Sequence, residues 1–466
     1  MYQPRGYFVL LIIVFSAVFL TLITALAGYI FVEKKVQLAT EGREKAFDLA
    51  ESGLEYYRWH LAHFATDLKD GTSGAGPYVH TLKDPEGGTV GTFSLNISGA
   101  MSCSALTDVT ISATGAASAG PTYKRTLSSK YVRPSVADYS TIVNSNVWAG
   151  SDRVITGPYQ SNGGVRMDAT HNAQVYSGVA TWTCTSDFGC GSNTAEPGVF
   201  GSGSNPGLWS YPAPTIDFNG ITVDLATLKN FATSSGKYLP ASGSYGWLLT
   251  MKSNGTFDAA KVTGTTQIWG YDTANGWLQE RTIVSSTGAA TNYAIPASCP
   301  IVFAEDNVWL QGVVSGKVTL AAANTGSGAT RSIVIPGNIT YAHATGDGLT
   351  AVGQQDVLIS LQSPDTMEVH GIFIAQGGKF GRNYYTSSGG NAVPAGLASY
   401  VLRSHLTTVG TVVSNGRVGT KWTSGGTFVS GYANRTDTYD RALAESPPAF
   451  TPQTSTDYVF REWKEQ

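Results

Sequence analysis

The sequence predicts an α+β protein in which one long N-terminal helix is followed by a small antiparallel β-sheet and a large all-β body. Two observations predict this order. The uncharged apolar residues 7–32 continue into a charged segment with the periodicity of a helix. Beyond Asp70 the chain is rich in Gly and in short segments where polar and apolar residues alternate, a pattern typical of strands and turns.

The composition limits the classes of protein to consider. Of the 466 residues, 42% are hydrophobic and 14% are charged, which is enough apolar material for folded cores. At about 150 residues per domain, the length favours two or three domains. The 30 basic and 33 acidic residues leave a formal charge of -3. Charge therefore gives no indication of nucleic-acid binding.

The first element is expected to span a membrane. Residues 7–32 form 26 consecutive uncharged residues, whereas crossing the hydrocarbon core takes about 20. A cleaved secretory signal is the alternative, because Ala25-Leu26-Ala27 resembles a signal-peptidase site. Signal peptides have shorter apolar cores of about 7–15 residues, and this run continues past that site. We expect a single-pass membrane protein with its N-terminus in the cytoplasm and its body outside.

The same helix is expected to continue to residue 68, because no proline lies between Pro4 and Pro77. Its second part is amphipathic, with apolar residues at steps of three and four: Phe47, Ala50, Leu54, Tyr57, Leu61, Phe64 and Leu68. This stripe needs a partner. Strands in residues 69–134 are expected to supply it as a small antiparallel sheet. Gly42 and Gly53 are the weak points of the helix, at about 1 kcal/mol each relative to Ala.

Residues 135–440 are expected to form the β-rich body, and residues 441–466 a C-terminal tail. Ser161-Asn162-Gly163 lies in a segment with the same skeleton as the one around Ser414-Asn415-Gly416, and residues 371–377 are a looser third copy. Repeated strand and turn units with Gly or Asn at the corner favour an irregular β-solenoid. The spacing excludes a strict repeat, and a β-sandwich is the alternative.

The four cysteines indicate an oxidising compartment. Cys184 and Cys190 bracket a short loop and are expected to form a disulfide, whereas Cys103 and Cys299 either pair or stay free. The close pair belongs to a Cys- and Trp-rich insertion at about residues 180–300, whose tryptophans either fill a core or bind sugars: Trp182, Trp209, Trp247, Trp269 and Trp277. The cysteine and histidine spacing matches no zinc site.

The chain lacks the common catalytic motifs, including G-x-S-x-G, the P-loop and H-E-x-x-H. His60 and His63 share a helix face, but two ligands make a poor metal site. Scattered carboxylates would suit a membrane-tethered glycan-acting β-helix enzyme, yet their flanks resemble turns, where Asp bonds to its own backbone: Asp217, Asp224, Asp306, Asp347, Asp356 and Asp365. We expect no enzyme activity, no metal and no cofactor.

Arg5-Gly6 directly precedes the apolar run, and the helix continues into the segment Ala-Phe-Asp-Leu-Ala-Glu-Ser-Gly-Leu-Glu at 46–55. These residues resemble type IV pilin-like proteins, especially minor pilins and pseudopilins, over about the first 70 residues. The resemblance implies that residues 1–6 are a leader and that a prepilin peptidase cleaves after Gly6. It also implies methylation of the new N-terminus at Tyr7.

One position departs from the family. Pilins usually carry a glutamate at the fifth mature position, where this chain has Leu11. In the family that carboxylate pairs with the amine of a neighbouring subunit in the filament core, where an unpaired charge is costly. A subunit without it resembles the tip or initiating members of such filaments.

The resemblance implies that the chain is a minor or tip subunit of a type IV pilus or related secretion filament. Its partners would be other pilin-like subunits, the membrane assembly machinery and the lipid bilayer, with assembly carried by Tyr7, Leu11 and the apolar stripe. The β body would serve adhesion or interaction at the cell surface, with a glycan or a protein as its ligand. A plain single-pass surface protein is the remaining alternative.

Overall fold

The computed structural model describes residues 6–64, 66–103, 105–118 and 123–466. The chain folds as two compact units. The smaller unit comprises the described residues up to Gly99 together with Asp108–Tyr131 and Phe460–Gln466. The larger unit comprises Ala100–Thr107 and Val132–Val459. Of the expected leader, residues 1–5 lie outside the described residues.

The smaller unit begins with helix α1, which runs without a break over Gly6–His63. Its 58 residues correspond to about 87 Å. The helix ends before the expected boundary at residue 68, because the Asp67 carboxylate accepts the backbone N–H groups of Lys69 at 2.7 Å and Gly71 at 2.6 Å. These bonds fold residues 67–71 into a turn, so that Leu68 is no longer part of a helical stripe.

A small sheet follows α1. Its first strands are β1 (Tyr78–Lys83), β2 (Thr89–Ser102), β3 (Ala105–Ala117) and β4 (Lys124–Val132). They lie in the order β1-β2-β3-β4, and the pairs β1–β2 and β3–β4 are antiparallel. One face of the sheet is apolar and buried, with Leu95, Ile111, Ala113 and Leu127 in its centre. This face is the partner that the amphipathic part of α1 requires.

The larger unit starts with short strands. They are β5 (Thr141–Val143), β6 (Val147–Ala149), β7 (Arg153–Ile155), β8 (Tyr159–Ser161), β9 (Val165–Met167), β10 (Thr170–His171), β11 (Val175–Ser177), β12 (Thr181–Cys184), β13 (Thr194–Pro197), β14 (Val199–Phe200) and β15 (Trp209–Ser210). Helix α2 (Leu225–Ser234) follows, capped by the Asp224 side chain. Four 3₁₀ helices are described in this unit: Val136–Asp138, Ser186–Phe188, Pro206–Leu208 and Ala395–Tyr400.

The strands after α2 include longer ones. They are β16 (Lys237–Leu239), β17 (Gly246–Lys252), β18 (Thr256–Asp272), β19 (Gly276–Thr287), β20 (Thr291–Ala294), β21 (Ile301–Ala304), β22 (Val308–Val314), β23 (Lys317–Ala322), β24 (Ile333–Ile335), β25 (Ile339–Tyr341), β26 (Gly348–Gly353), β27 (Val357–Ile359), β28 (Thr366–Ala375), β29 (Phe380–Gly381), β30 (Leu402–Ser414), β31 (Lys421–Ser424) and β32 (Thr427–Thr438). A short helix α3 (Arg441–Glu445) closes this part of the chain.

One row of parallel strands organises the larger unit. Its order is β16-β21-β23-β26-β28-β30-β5-β8-β11-β15, and each neighbouring pair is parallel. The chain therefore enters the row in its interior, at β5, and runs to one end at β15. It then crosses through α2 to the other end at β16 and returns strand by strand to β30, beside its own starting point.

Both faces of this row are buried along β21, β23 and β26. In β21, Val302 and Ala304 belong to one apolar core, whereas Ile301 and Phe303 belong to a second core that includes residues of α2. Strands covered on both faces have continuous apolar sequences and no alternation. These three strands therefore show little of the period-two pattern seen in the small sheet, whereas the first halves of β28 and β30 alternate between buried and more exposed residues.

Two segments differ from the boundaries expected from the sequence. Residues 180–300 are not one separate insertion, because β15 and β16 pair with β11 and β21 of the row. Residues 441–466 are not a free tail either. Their last strand, β33 (Val459–Glu465), is the fifth strand of the small sheet and lies next to β4. The backbone N–H and C=O groups along this edge of β4 pair with those of β33.

Candidate functional site: the exposed apolar helix

The first part of α1 leaves its apolar side chains uncovered. Residues 7–38 are all exposed. The most apolar 18-residue window of the helix has a mean hydropathy of 2.9, and none of it is buried within the chain. By length and composition α1 is able to cross a lipid bilayer.

The two threonine hydroxyls in this part are bonded within the helix. The Thr21 hydroxyl donates to the carbonyl of Val18 at 2.7 Å, and the Thr24 hydroxyl donates to the carbonyl of Leu20 at 2.9 Å. A hydroxyl group left without a partner in hydrocarbon would be costly. The outer surface of residues 7–32 is therefore compatible with lipid or with the apolar helices of other subunits.

The N-terminal positions singled out by the sequence lie on this surface. Tyr7 is 80% exposed and Leu11 is 52% exposed. Glu33 is the first carboxylate after Gly6. The apolar segment thus presents no charge that would require an oppositely charged neighbour.

The second part of α1 is buried on one face against the small sheet. The buried residues are Gly42, Ala46, Leu49, Ala50, Gly53, Leu54, Tyr57, His60 and Leu61. This face includes four of the expected stripe residues, Ala50, Leu54, Tyr57 and Leu61. Phe47 lies at its edge, half-buried, with its ring 5.8 Å from that of Trp463. Phe64 follows the helix end and is 55% exposed.

Small residues determine which face is buried. A Cβ atom on Gly115 of β3 would lie 2.0 Å from the carbonyl oxygen of Ala46 and 2.6 Å from the backbone nitrogen of Ala50. A Cβ atom on Gly53 would lie 3.0 Å from the Phe93 ring. Helix and sheet therefore approach each other at backbone distance. This approach turns the buried face toward Ala46 and Leu49, which the expected stripe did not contain.

A hydrogen-bonded turn holds the C-terminal end of α1. The Asp67 carboxylate lies 2.9 Å from Nε2 of His60, and the Tyr57 hydroxyl donates to the Asp67 carbonyl at 2.5 Å. Burial opposes ionisation of Asp67, but the backbone N–H groups of Lys69 and Gly71 and the His60 ring together lower its pKa. The ionised carboxylate is thus the form that this turn binds.

Asp70 makes a second set of contacts in the same region. It accepts the Tyr56 hydroxyl at 3.0 Å and lies 2.6 Å from Nε2 of His80. Burial and the hydrogen bond to Asp70 raise the pKa of Tyr56 to about 12. His60 and His63, which share a helix face, have different partners, because Nδ1 of His63 lies 2.8 Å from the Trp59 carbonyl. Within the described ranges, no group of three or more His, Cys, Asp or Glu side chains is arranged to hold a metal ion.

The candidate catalytic carboxylates lie at separate turns and bind nearby backbone or side-chain groups. Asp224 caps α2, and Asp306 accepts the backbone N–H and the hydroxyl of Ser242. The other four accept backbone N–H groups in the same way: Asp217 from Asn219, Asp347 from Gly316, Asp356 from Lys379 and Asp365 from Ser404. Asp217 and Asp224 thus act as turn and cap residues. The bonds of the other four carboxylates instead connect residues 23 to 64 positions apart in the sequence.

The structure contains both disulfides. Cys184 is bonded to Cys190, where it closes the loop between β12 and β13. Cys103 is bonded to Cys299, and both belong to the larger unit. Of the tryptophans noted in the sequence, Trp182 and Trp247 are buried, whereas Trp277 is 38% exposed.

No family model and no curated protein matches the sequence. Among solved structures, the crystal structure of the competence-associated pilin ComZ from Thermus thermophilus aligns with this chain at 12% identity and a TM-score of 0.29. The alignment covers 91% of this chain and 97% of ComZ. A TM-score this low carries no argument about fold or function.

Proposed function

We propose that this chain is a pilin-like subunit, minor or terminal, of a type IV pilus or a related secretion filament. The observation that carries the proposal is the continuity of α1. One unbroken helix has a wholly exposed apolar part and a second part whose buried face packs against an antiparallel sheet. Such a helix serves first as a membrane anchor and then as a stem that packs beside the stems of other subunits.

Leu11 supports a special position in the filament. A subunit with a glutamate there needs the amine of a neighbour, whereas Leu11 makes no such demand in an apolar environment. The larger unit, which includes Val132–Val459, also makes incorporation at every position of a close-packed filament difficult. Terminal or sparse incorporation avoids both problems.

For the larger unit we propose an irregular β-solenoid that acts as a non-enzymatic display module. The row of parallel strands supports the solenoid, since stacked turns of a solenoid pair in parallel. The six candidate carboxylates lie at separate places in the fold and are each bonded to protein groups, which supports a structural role for them against the glycan-acting enzyme. We place the N-terminus in the cytoplasm and this module outside the cell.

The test is mass spectrometry of the mature protein from its native host, together with immunoblotting of sheared filaments. The chain should begin at a methylated Tyr7 and should be present in the filament fraction. Gly6→Val should retain the leader and remove the chain from filaments. Gly74→Val is the control, because Gly74 lies outside α1 and a Cβ atom there meets nothing within 4 Å.

Two results would contradict the proposal. A mature N-terminus other than Tyr7 would remove the peptidase step, and an N-terminus beyond Ala27 would identify a cleaved secretory signal. Absence from sheared filaments, with normal pili in a deletion strain, would favour the plain single-pass surface protein.

A further inference from the structure

The larger unit contains a cleft of about 340 Å³ that the filament function does not use. It lies among β6, the turn before β7, and the segment from Arg417 to β32. Its lining includes Trp148, Asp152, Arg417, Lys421 and Trp422. The volume falls at the lower end of the range of about 300–1,000 Å³ that small-molecule sites occupy. A cleft of this size fits a group as small as a single sugar unit.

The cleft carries an excess of positive charge. Four cationic side chains line it, Lys379, Arg417, Lys421 and Arg435, together with one carboxylate, Asp152. Arg435 binds Asp152 through two nitrogens at 2.9 and 3.1 Å, and Lys421 lies 3.2 Å from the same carboxylate. Lys379 pairs at 2.9 Å with Asp272, a residue outside the lining.

Arg417 has a different environment from the other three cations. Its guanidinium donates to the carbonyl oxygen of Asp187 at 2.5 Å and lies 4.3 Å from the centre of the Phe188 ring. Burial lowers the pKa of Arg417, against the negative charge of Asp187. A guanidinium stays protonated in proteins and binds carboxylate or phosphate through two parallel hydrogen bonds. A charged oxygen in the cleft would therefore find its donor in Arg417.

The two tryptophans of the cleft are held in place by their indole N–H groups. The N–H of Trp148 donates to the Asp168 carboxylate at 2.8 Å, and the N–H of Trp422 donates to the Arg382 carbonyl at 2.9 Å. Both indoles line the cleft, and the guanidinium of Arg166 lies 4.6 Å from the centre of the Trp148 ring. The apolar C–H face of a sugar packs on such a ring, because the face of the π system is negative.

A second cavity adjoins the first and shares Trp422 and Thr423 with it. Its volume is about 280 Å³, and its lining includes Tyr271, Trp277 and Tyr384 and no charged side chain. The aromatic residues meet edge to face, with Tyr384 and Trp422 5.9 Å apart. Two adjacent cavities of different character fit a chain in which an acidic unit is followed by a further ring.

The loop closed by the Cys184–Cys190 disulfide packs against two lining residues of this cleft, Arg417 and Trp148. Phe188 of that loop packs against Arg417, and its carbonyl oxygen accepts Nη1 of Arg166 at 2.9 Å. A Cβ atom on Gly189 would lie 2.7 Å from the Trp148 ring. The disulfide therefore fixes the loop that positions both Arg417 and Trp148.

We propose that this cleft binds an acidic sugar unit of a glycan chain, with Arg417 bonded to the acid and Trp148 and Trp422 packed on the rings. Single-stranded nucleic acid is the less favoured ligand. It requires a groove in which basic residues follow several phosphates, whereas here they surround one small cleft. The proposal concerns the larger unit alone and is independent of whether the chain enters a filament.

The test uses the full chain in detergent micelles, titrated with trigalacturonate, with neutral galactotriose and with a ten-residue oligothymidylate by calorimetry. Trigalacturonate should bind at least about tenfold more tightly than galactotriose, since bonds to charged groups contribute that much. Arg417→Gln should weaken trigalacturonate binding by about tenfold or more. Arg281→Gln, at an exposed arginine outside the cleft, should leave it unchanged. The double variant Cys184→Ser and Cys190→Ser should also weaken binding.

Equal binding of the acidic and neutral sugars, or no binding of either, would overturn the proposal. Unchanged binding by Arg417→Gln would do the same. Tighter binding of oligothymidylate that is lost in Arg417→Gln would reassign the cleft to nucleic acid and overturn it as well. If Arg417→Gln fails to show the thermal transition of the wild type, Arg417→Lys is measured in its place. It should also weaken trigalacturonate binding, because an ammonium group loses the two parallel hydrogen bonds that a guanidinium makes to a carboxylate.

Discussion

The side-chain amide of Asn144 donates to Oδ1 of Asn415 at 2.8 Å, although the two residues are 271 positions apart. Asn144 also accepts the amide of Asn162 at 2.8 Å. The three asparagines follow β30, β5 and β8, which are neighbours in the parallel row. They form a ladder of side-chain amides at the C-terminal ends of these three neighbouring strands. The two Ser-Asn-Gly copies in the sequence are thus two steps of this ladder, with Asn144 between them.

The first prediction concerns this ladder. Asn144→Ala removes both side-chain hydrogen bonds of the ladder. These bonds lie where the late strand β30 pairs with the early strand β5. We expect the free energy of unfolding of the larger unit to fall by about 1–3 kcal/mol, since each of the two hydrogen bonds contributes about 0.5–1.5 kcal/mol. Urea unfolding followed by tryptophan fluorescence measures this loss. Asn434→Ala is the control, because its Nδ2 lies 3.5 Å from the Ser404 carbonyl, and its loss should be smaller. Equal losses would contradict a special role for the ladder.

The second prediction concerns the closest approach of helix and sheet. Gly115→Ala places a methyl group against the backbone of α1 at Ala46, so the two elements must separate. We expect destabilisation of the smaller unit by about 1–3 kcal/mol or more, the usual cost of overpacking. Thermal unfolding by circular dichroism checks it. Gly74→Ala, where a Cβ atom meets nothing within 4 Å, should leave the transition unchanged. A stable Gly115→Ala variant would mean that α1 does not pack on β3 at backbone distance.

The third prediction concerns pH. Because the pKa of Asp67 is lowered in the folded state, its contribution to stability is fully present above the pKa of an unfolded Asp, about 3.9. It is lost as the pH falls through the lower folded pKa. Asp67→Asn should therefore reduce stability at neutral pH and flatten its decline in acid. Unfolding midpoints measured from about pH 6 down to about pH 2.5 test this. Asp48→Asn, at an exposed position of α1, should behave as the wild type.

The fourth prediction compares the two disulfides. Cys103 and Cys299 are 196 residues apart in sequence, whereas Cys184 and Cys190 are 6 apart. By loop-closure entropy the long-range bond should contribute about 5 kcal/mol and the short-range one about 2 kcal/mol. Paired Cys-to-Ser variants should thus differ in urea midpoint, with the larger shift for Cys103 and Cys299. A larger shift for the short loop would show that it matters to the fold beyond closing a hairpin.

The sequence was most informative about the N-terminal helix. Its apolar residues recur three and four positions apart, so the burial of Ala50, Leu54, Tyr57 and Leu61 follows from local spacing. The position of Phe64 does not, since it depends on the turn that Asp67 forms after the helix end. Nor does spacing reveal that helix and sheet meet at Gly53 and Gly115. A side chain is excluded at these two positions only by the atoms of the element that faces them.

For the larger unit, the repeated Ser-Asn-Gly segments indicated stacked strands with polar corners. The same segments do not predict that β5 lies between β30 and β8. Every strand offers the same backbone hydrogen-bonding groups, so the sequence of one strand does not specify its neighbours. The order of strands is chosen by the shape of the whole core. The same holds for the cleft, where Trp148, Arg417 and Trp422 meet only because distant strands are neighbours. Local spacing thus determined the helix and the kind of strands, and long-range packing decided which of them touch.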